Sequence, residues 1–355
     1  MTDGKQATPV LVIHGGAGTM SKSGSTPEQR EKYRTALKES LRVGHNILKS
    51  GGEAMDACVA AVAFMEDCPL FNCAKGAIFN VAGKNELECS IMLSKPPASH
   101  PEIPTSRRGI ALTLLRRLQN PCKAARALYL SPTIAPHATL SDSTVECLAE
   151  ALGETLVDPS YFFTKARWRE HRRGLGLPEE PLPPGLPLQD VPSSDDSEES
   201  LDLMPSGTVG AVALDGNGCI AAVTSTGGKT NKLVGRIGDT PTFGSGFWAE
   251  EWPVDGDVSG RRAVGVSGTG DGDYFLRGAT ACTIANRMKF KQESVDQAAR
   301  AGVQDLYAQG GMGGVIALDE QGRIAMALNC SGMYRGVIKE DGNPKVAIFD
   351  DDVLE

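Results

Sequence analysis

Gly207-Thr-Val-Gly-Ala-Val-Ala-Leu214 and Cys219-Ile-Ala-Ala-Val-Thr-Ser-Thr-Gly-Gly228, joined by Asp215-Gly-Asn-Gly218, read as two buried strands folded back on each other. Both runs are apolar on both faces, and an Asp-Gly-Asn-Gly tetrad between such runs is a strong hairpin signal. Residues 315–318 and 324–328 repeat the pattern around Asp319-Glu-Gln-Gly322. Between the hairpins, residues 274–289 and 293–308 place apolar side chains at helical spacing. Strands buried on both faces need cover on both sides, and the helices supply it. The reading is an α+β sandwich of sheets covered by helices, not a doubly wound parallel sheet.

Working outward toward the N-terminus, Val10-Leu-Val-Ile13 is a strand that feeds a glycine loop, His14-Gly-Gly-Ala-Gly18. Thr26-Pro-Glu-Gln29 starts a helix, because Thr26 caps, Pro27 suits the first helical position and Gln29 bonds back. That helix runs to Gly51-Gly52, and residues 53–66 form a second one with an Ala/Val-rich face. Residues 77–81 and 87–92 are expected as paired strands, and 110–118 and 123–130 as helical pieces around Asn120-Pro121.

Residues 174–207 differ from everything around them. They hold seven prolines, eight acids and no Lys or Arg, and they cannot pack a core. The expectation is a mobile acidic linker that an added protease nicks early. The remaining 36 acids of the 355-residue chain match its 36 Lys and Arg, so the net charge of −8 resides in this linker. An electrically balanced body gives no support to nucleic-acid or anionic-membrane binding. The basic run 165–173 is expected as a solvated helix face. No window is apolar enough to cross a membrane, and the polar start carries no signal segment. Nine scattered cysteines, without C-x-x-C pairs, are expected to be reduced and mostly buried. The location expected is cytoplasmic.

Several residues could do chemistry. Thr208, between Gly207 and a rigid strand, places a hydroxyl nucleophile at a strand origin. Hairpin pairing returns Thr226 beside it, where a second hydroxyl could bond the first. Gly235-Arg-Ile-Gly-Asp239 offers a cation and an anion three residues apart, which suits a zwitterionic amino acid: Arg236 for a carboxylate, Asp239 for an ammonium. A mutual Arg236–Asp239 salt bridge is the competing reading. Ser267-Gly-Thr-Gly-Asp-Gly272 exposes backbone N–H groups that suit an oxyanion, and it lacks the spacing of a phosphate loop. His14 is read as structural.

Taken in order, His14-Gly-Gly-Ala-Gly18, Phe71-Asn72, Gly207-Thr-Val-Gly210, Ser225-Thr-Gly-Gly228, Gly235-Arg-Ile-Gly-Asp239 and Gly268-Thr-Gly270 resemble the plant-type asparaginase and isoaspartyl peptidase family of N-terminal-nucleophile hydrolases. The resemblance spans the chain from Val10 to Leu328. It implies a four-layer αββα sandwich and a precursor that cuts itself at Gly207–Thr208 into an α chain, 1–207, and a β chain, 208–355, within one domain. Thr208 is then the nucleophile and its freed amine the base, with Thr226 assisting. Arg236 holds the substrate α-carboxylate, and Asp239 with Gly272 holds the α-amine. Thr269 with Gly270 forms the oxyanion hole, and Asn72 positions the nucleophile region. The resemblance implies no cofactor for catalysis, a structural sodium ion on backbone carbonyls of Met65, Glu66, Cys68, Phe71 and Cys73, and a homodimer of cleaved αβ units.

The activity implied is hydrolysis of the side-chain amide of L-asparagine and of β-aspartyl dipeptides through a threonine acyl-enzyme. Two alternatives stand beside it: a threonine-aspartase-like endopeptidase, against which Asp239 speaks, and an uncleaved homologue acting as a binding protein. The chain departs from the family at Phe71-Asn-Cys-Ala-Lys75, where the family usually reads Phe-Asn-Ala-Gly, and in an insertion over 93–107.

Overall fold

The computed structural model describes residues 7–179, 182, 207–254 and 257–355. Most of the acidic linker lies outside these residues.

The hairpin forms as read. Strands β5 (Val209–Leu214) and β6 (Ile220–Thr226) pair antiparallel from Val209↔Ser225 to Leu214↔Ile220. They sit at the centre of an eight-stranded sheet. On one side come β1 (Val10–Gly18), β11 (Gly332–Ile338) and β12 (Lys345–Phe349); on the other β2 (Leu87–Leu93), β3 (Gly109–Leu115) and β4 (Thr139–Ser141). A second sheet has four strands in the order β10 (Ile324–Leu328), β9 (Gly313–Asp319), β8 (Asp257–Gly270) and β7 (Phe247–Val254).

Strand alternation divides the side chains into three cores. Val209, Ala211 and Ala213 of β5 join the core under helices α1 (Pro27–Lys49), α2 (Ala54–Asp67) and α3 (Pro121–Tyr129), while Val212 and Leu214 join the layer between the sheets. On β8, Ala263 faces that inter-sheet layer, and Val264 and Val266 pack under α7 (Thr280–Lys291) and α8 (Val295–Ala308). Helix, sheet, sheet, helix is the αββα sandwich. The α1 capping box forms, with Thr26 and Gln29 each accepting the other's backbone N–H.

Several local expectations need correction. The glycine loop after Ile13 is strand: β1 continues through His14-Gly-Gly-Ala-Gly18, bulged between His14 and Ala17 where Gly16 takes φ 117°. Residues 77–81 form no strand, because side chains satisfy their backbone. Asn72 Oδ1 accepts the Ile78 N–H, and Asn85 Nδ2 donates to the Ala77 and Ile78 carbonyls. Residues 109–115 are strand rather than helix, since a run this short and buried on both faces carries no helical period. The helix expected over 274–289 is two, α6 (Gly272–Gly278) and α7, broken at Ala279 with φ 43°. Helix α5 (Lys165–Gly174) is not all solvated: Arg167 is fully buried, donating from Nε to the Gly76 carbonyl, and Trp168 and His171 pack on Phe79. All nine cysteines are free. Among the described residues no helix is long and apolar enough to cross a membrane.

Candidate active site

Alternation sets the polar end of the inter-sheet layer. With Val209 committed to the helix side, Thr208 and Gly210 face the opposite sheet, as do Thr224 and Thr226 of β6 and Ser267 and Thr269 of β8. Thr208 is buried at 6% exposure. Its Oγ1 lies 3.3 Å from Thr240 Oγ1. Thr226, placed by the hairpin one residue beyond the Val209↔Ser225 pair, accepts the Gly228 N–H at 3.0 Å. The sequence reading passed over Thr240, although it directly follows Asp239. Its carbonyl accepts from Ser90 Oγ at 2.7 Å, which fixes it to β2.

His14 turns out to belong to this cluster. Its Nδ1 lies 2.9 Å from the Thr208 carbonyl and its Nε2 2.7 Å from Ser267 Oγ, which in turn lies 2.9 Å from Thr224 Oγ1. A carbonyl only accepts, so Nδ1 carries the proton, Nε2 accepts from Ser267, and Ser267 accepts from Thr224. Burial pushes the imidazole down to about 3, outweighing its bond to the Thr208 carbonyl. A permanently neutral ring with both nitrogens engaged is no general base. It locks the backbone that carries the Thr208 hydroxyl.

Gly207 sits in a tight slot. A Cβ there would lie 2.5 Å from Thr269 Oγ1, 2.7 Å from Ala17 N and 3.0 Å from Ala17 O. Thr269 Oγ1 accepts the Ala17 N–H at 3.2 Å, which leaves its own proton free to donate toward the 207–208 peptide. Gly270 takes φ 131°, and the Met312 carbonyl fills the place of its missing side chain. A donor hydroxyl beside Gly207, followed by a glycine whose backbone turns freely, is an arrangement suited to a developing oxyanion. Gly207→Ala should therefore fold but slow chain cleavage roughly a hundredfold, because displacing Thr269 or Ala17 by a fraction of an ångström misaligns the reacting groups. A denaturing gel followed over time checks this; unchanged processing would remove the slot from the argument.

The segment 236–239 lies beside this cluster, Asp239 directly preceding Thr240. Asp239 is buried, and a side chain at Gly272 would collide with its Oδ1 while lying 3.2 Å from Arg236 Nη2. The competing Arg236–Asp239 salt bridge is not what forms: Arg236 pairs with the half-exposed Asp273 at 3.0 Å. Asp239 Oδ2 has no hydrogen-bond partner among the described residues. Burial, reinforced by the nearby Glu88 charge and opposed by Arg236, raises the Asp239 carboxyl to about 7. Glu88 also went unread in the sequence, and its signal was the one charge in a strand otherwise apolar but for Ser90.

Asn72 ties the loop after α2 to the end of β6. Its Nδ2 donates to the Gly228 carbonyl at 2.8 Å, and its own carbonyl accepts the Gly227 N–H at 3.0 Å. Of the carbonyl set considered for sodium, Met65 and Glu66 end α2, and Cys68, Phe71 and Cys73 follow in the loop. The Met65, Glu66 and Cys68 carbonyls each accept one backbone N–H, and those of Pro69 and Phe71 lie 2.5 and 2.8 Å from where a Gly76 Cβ would be. A turn lined by carbonyl oxygens with spare lone pairs fits a hard monovalent cation. The Glu66 side chain faces elsewhere, accepting from Ser225 Oγ and Cys122 N. Ala74 takes φ 36°, so the loop adopts a left-handed backbone of the kind glycine favours without having a glycine there. Lys75 sits over the Tyr161 ring at 5.2 Å.

The profile of the family described as Asparaginase matches residues 7–348. The isoaspartyl peptidase of Escherichia coli is 34% identical over 345 residues, covering 96% of each chain. The isoaspartyl peptidase/L-asparaginase of Bos taurus is 33% identical over 336 residues, covering 94% of each. That of Xenopus laevis is 31% identical over 334 residues, covering 94% of this chain and 93% of its own.

Proposed function

Because the chain belongs to the asparaginase family, we propose that it is a self-cleaving amidohydrolase that hydrolyses L-asparagine and β-aspartyl dipeptides through Thr208. The observation that carries this reading is the adjacency of three parts: the Thr208 hydroxyl, the Thr269 hydroxyl against Gly207, and Asp239, which directly precedes the Thr240 that bonds Thr208 and whose Oδ2 has no hydrogen-bond partner among the described residues.

In the precursor, Thr208 Oγ attacks the Gly207 carbonyl carbon, and Thr269 Oγ1–H with the Gly270 N–H receives the charge on its oxygen. The C–N bond breaks as its nitrogen takes up a proton, and water hydrolyses the resulting ester to free Gly207 carboxylate and the Thr208 amine. That amine then serves as base. On substrate, it takes the hydroxyl proton as Oγ attacks the side-chain amide carbonyl, and ammonia or an amino acid leaves with a proton. Water hydrolyses the aspartyl ester and releases L-aspartate. Arg236 releases Asp273 to grip the α-carboxylate, and Asp239 with the Gly272 carbonyl accepts from the α-ammonium. An endopeptidase has no use for Asp239, because an internal peptide bond carries no ammonium.

A sodium ion would be held by the carbonyls of Met65, Glu66, Cys68, Phe71 and Cys73, where it braces the loop bearing Asn72. No chemical step runs through it. Replacing sodium with choline in the buffer should lower the melting midpoint and slow turnover in parallel; a melt indifferent to the exchange would dismiss the ion. The nine free cysteines support a cytoplasmic location. A homodimer of cleaved αβ units completes the reading, and sedimentation of the cleaved protein tests it. The deciding experiment is ammonia or aspartate release measured side by side from L-asparagine and a β-aspartyl dipeptide, on protein whose two bands are seen on a denaturing gel. Release from neither by fully cleaved protein overturns the activity.

A further inference from the structure

Two buried carboxylate oxygens have no hydrogen-bond partner among the described residues, Asp239 Oδ2 and Glu88 Oε2. The first has a role in the pocket described above. The second has none. Glu88 lies on β2 opposite Thr226, and it shares the strand face of Met92, which packs between the sheets, while Cys89 points to the helix side. Its carboxylate therefore enters the same layer as Thr208 and Thr226.

Gly238 brings the charges together. Glu88 Oε1 accepts the Gly238 N–H at 2.9 Å, and a Cβ on Gly238 would lie 3.1 Å from Glu88 Oε2 and 2.7 Å from Arg236 Nη1. Arg236 nevertheless pairs with Asp273, so Oε2 stays without a donor. A buried polar atom left in this state is costly, and charge raises the cost. A cation bound at the neighbouring Asp239 lowers that cost across space, without touching Oε2.

We propose that Glu88 is a positioning and specificity residue of the pocket: through Oε1 it fixes the 235–239 turn, and through Oε2 it offers the substrate α-ammonium a second negative charge beside Asp239. The assignment rests on the amidohydrolase reading and deepens it. The charged groups facing Glu88 are Glu86 just before its strand, Lys232, Arg236 and Asp239 from the segment after β6, and Asp273 from α6 across Arg236. Burial pushes the Glu88 carboxyl up, and Lys232 leads the groups that hold it ionised. Its charge in turn keeps Asp239 protonated to higher pH than burial alone would.

Glu88→Gln keeps the shape and an acceptor for Gly238 while deleting the charge, and it is compared with the wild type as cleaved protein. For L-asparagine at pH 8, KM should rise about tenfold, with the loss falling on KM more than on kcat. The acid limb of kcat/KM should also move to lower pH, because Asp239 ionises more easily without a neighbouring anion. An unchanged KM and limb would overturn the proposal, as would loss of self-cleavage together with a collapsed melting transition, since that describes a purely structural residue. If cleaved wild-type protein turns over neither substrate, the activity reading fails separately. Calorimetric binding of L-aspartate then decides for Glu88: binding about tenfold weaker in Glu88→Gln sustains the assignment, and equal binding ends it.

Discussion

Replacing Thr208 with alanine should leave one uncut polypeptide that releases neither ammonia nor aspartate. In the proposed mechanism the substitution deletes a single hydroxyl with two roles, first against the Gly207 carbonyl and then against substrate. Its effect on folding should be small. The backbone of residue 208 stays held by His14 Nδ1 through a carbonyl that alanine also has. The hydroxyl's own hydrogen bond, to Thr240, is long at 3.3 Å and contributes less than about 1 kcal/mol. The melting midpoint should therefore stay close to that of a precursor stalled by other means. Thr208→Ser retains the hydroxyl but removes the β-branch that limits χ1, so cleavage should persist more slowly. Two bands of normal proportion from the alanine variant would mean that the scissile bond or the nucleophile lies elsewhere, and the site would have to be rebuilt.

How much of this site was legible follows from what each residue is asked to do. The residues proposed to touch substrate or the reacting bond, Thr208, Arg236, Asp239 and Thr269, sit in short glycine-flanked strings that suit a closely approaching backbone, and those strings are visible in the chain. The residues that hold them were not. Thr240, Ser267 and Thr224 are ordinary hydroxyls until strand pairing brings segments from far along the chain within hydrogen-bond reach. His14 looked like part of a loop because two glycines follow it, yet its strand continues to Gly18 and carries the ring to the Thr208 carbonyl. The hairpins were readable from turn chemistry. Strand β3 was not, since its seven residues, apolar but for Thr113, have no polar face to reveal a period, and residues 77–81 are kept from strand pairing by asparagine side chains that no local pattern announces. The closing strands β11 and β12 were not read: Gly332 and Gly336 dilute one, and the other is a short apolar run over residues 346–349.

Asp239→Asn should move stability and activity in opposite directions. The carboxyl is raised to about 7 chiefly by burial, so the folded protein holds a proton there that the unfolded chain releases near the ordinary carboxylate value. Linkage then sets the sign: as pH climbs from about 4 toward 7, this group lowers stability, by on the order of 4 kcal/mol once both states are ionised. A neutral amide at the same place escapes that penalty, so the variant should melt higher than the wild type at pH 8, by a smaller margin at pH 5, and much like it only below about pH 4. Hydrolysis should respond the other way. The wild-type carboxylate pairs with the substrate ammonium only when ionised, so kcat/KM for L-asparagine should rise through about pH 7 and then level. The variant should lose ~2 kcal/mol or more of transition-state binding at pH 8, and Asp239→Ala at least as much. Self-cleavage involves no ammonium and should continue in both. A variant that hydrolyses asparagine normally but stops cutting itself would assign Asp239 to processing instead. One that loses stability at pH 8 would show that its carboxylate has a partner in the folded state, and the pocket would then have no vacancy for the ammonium.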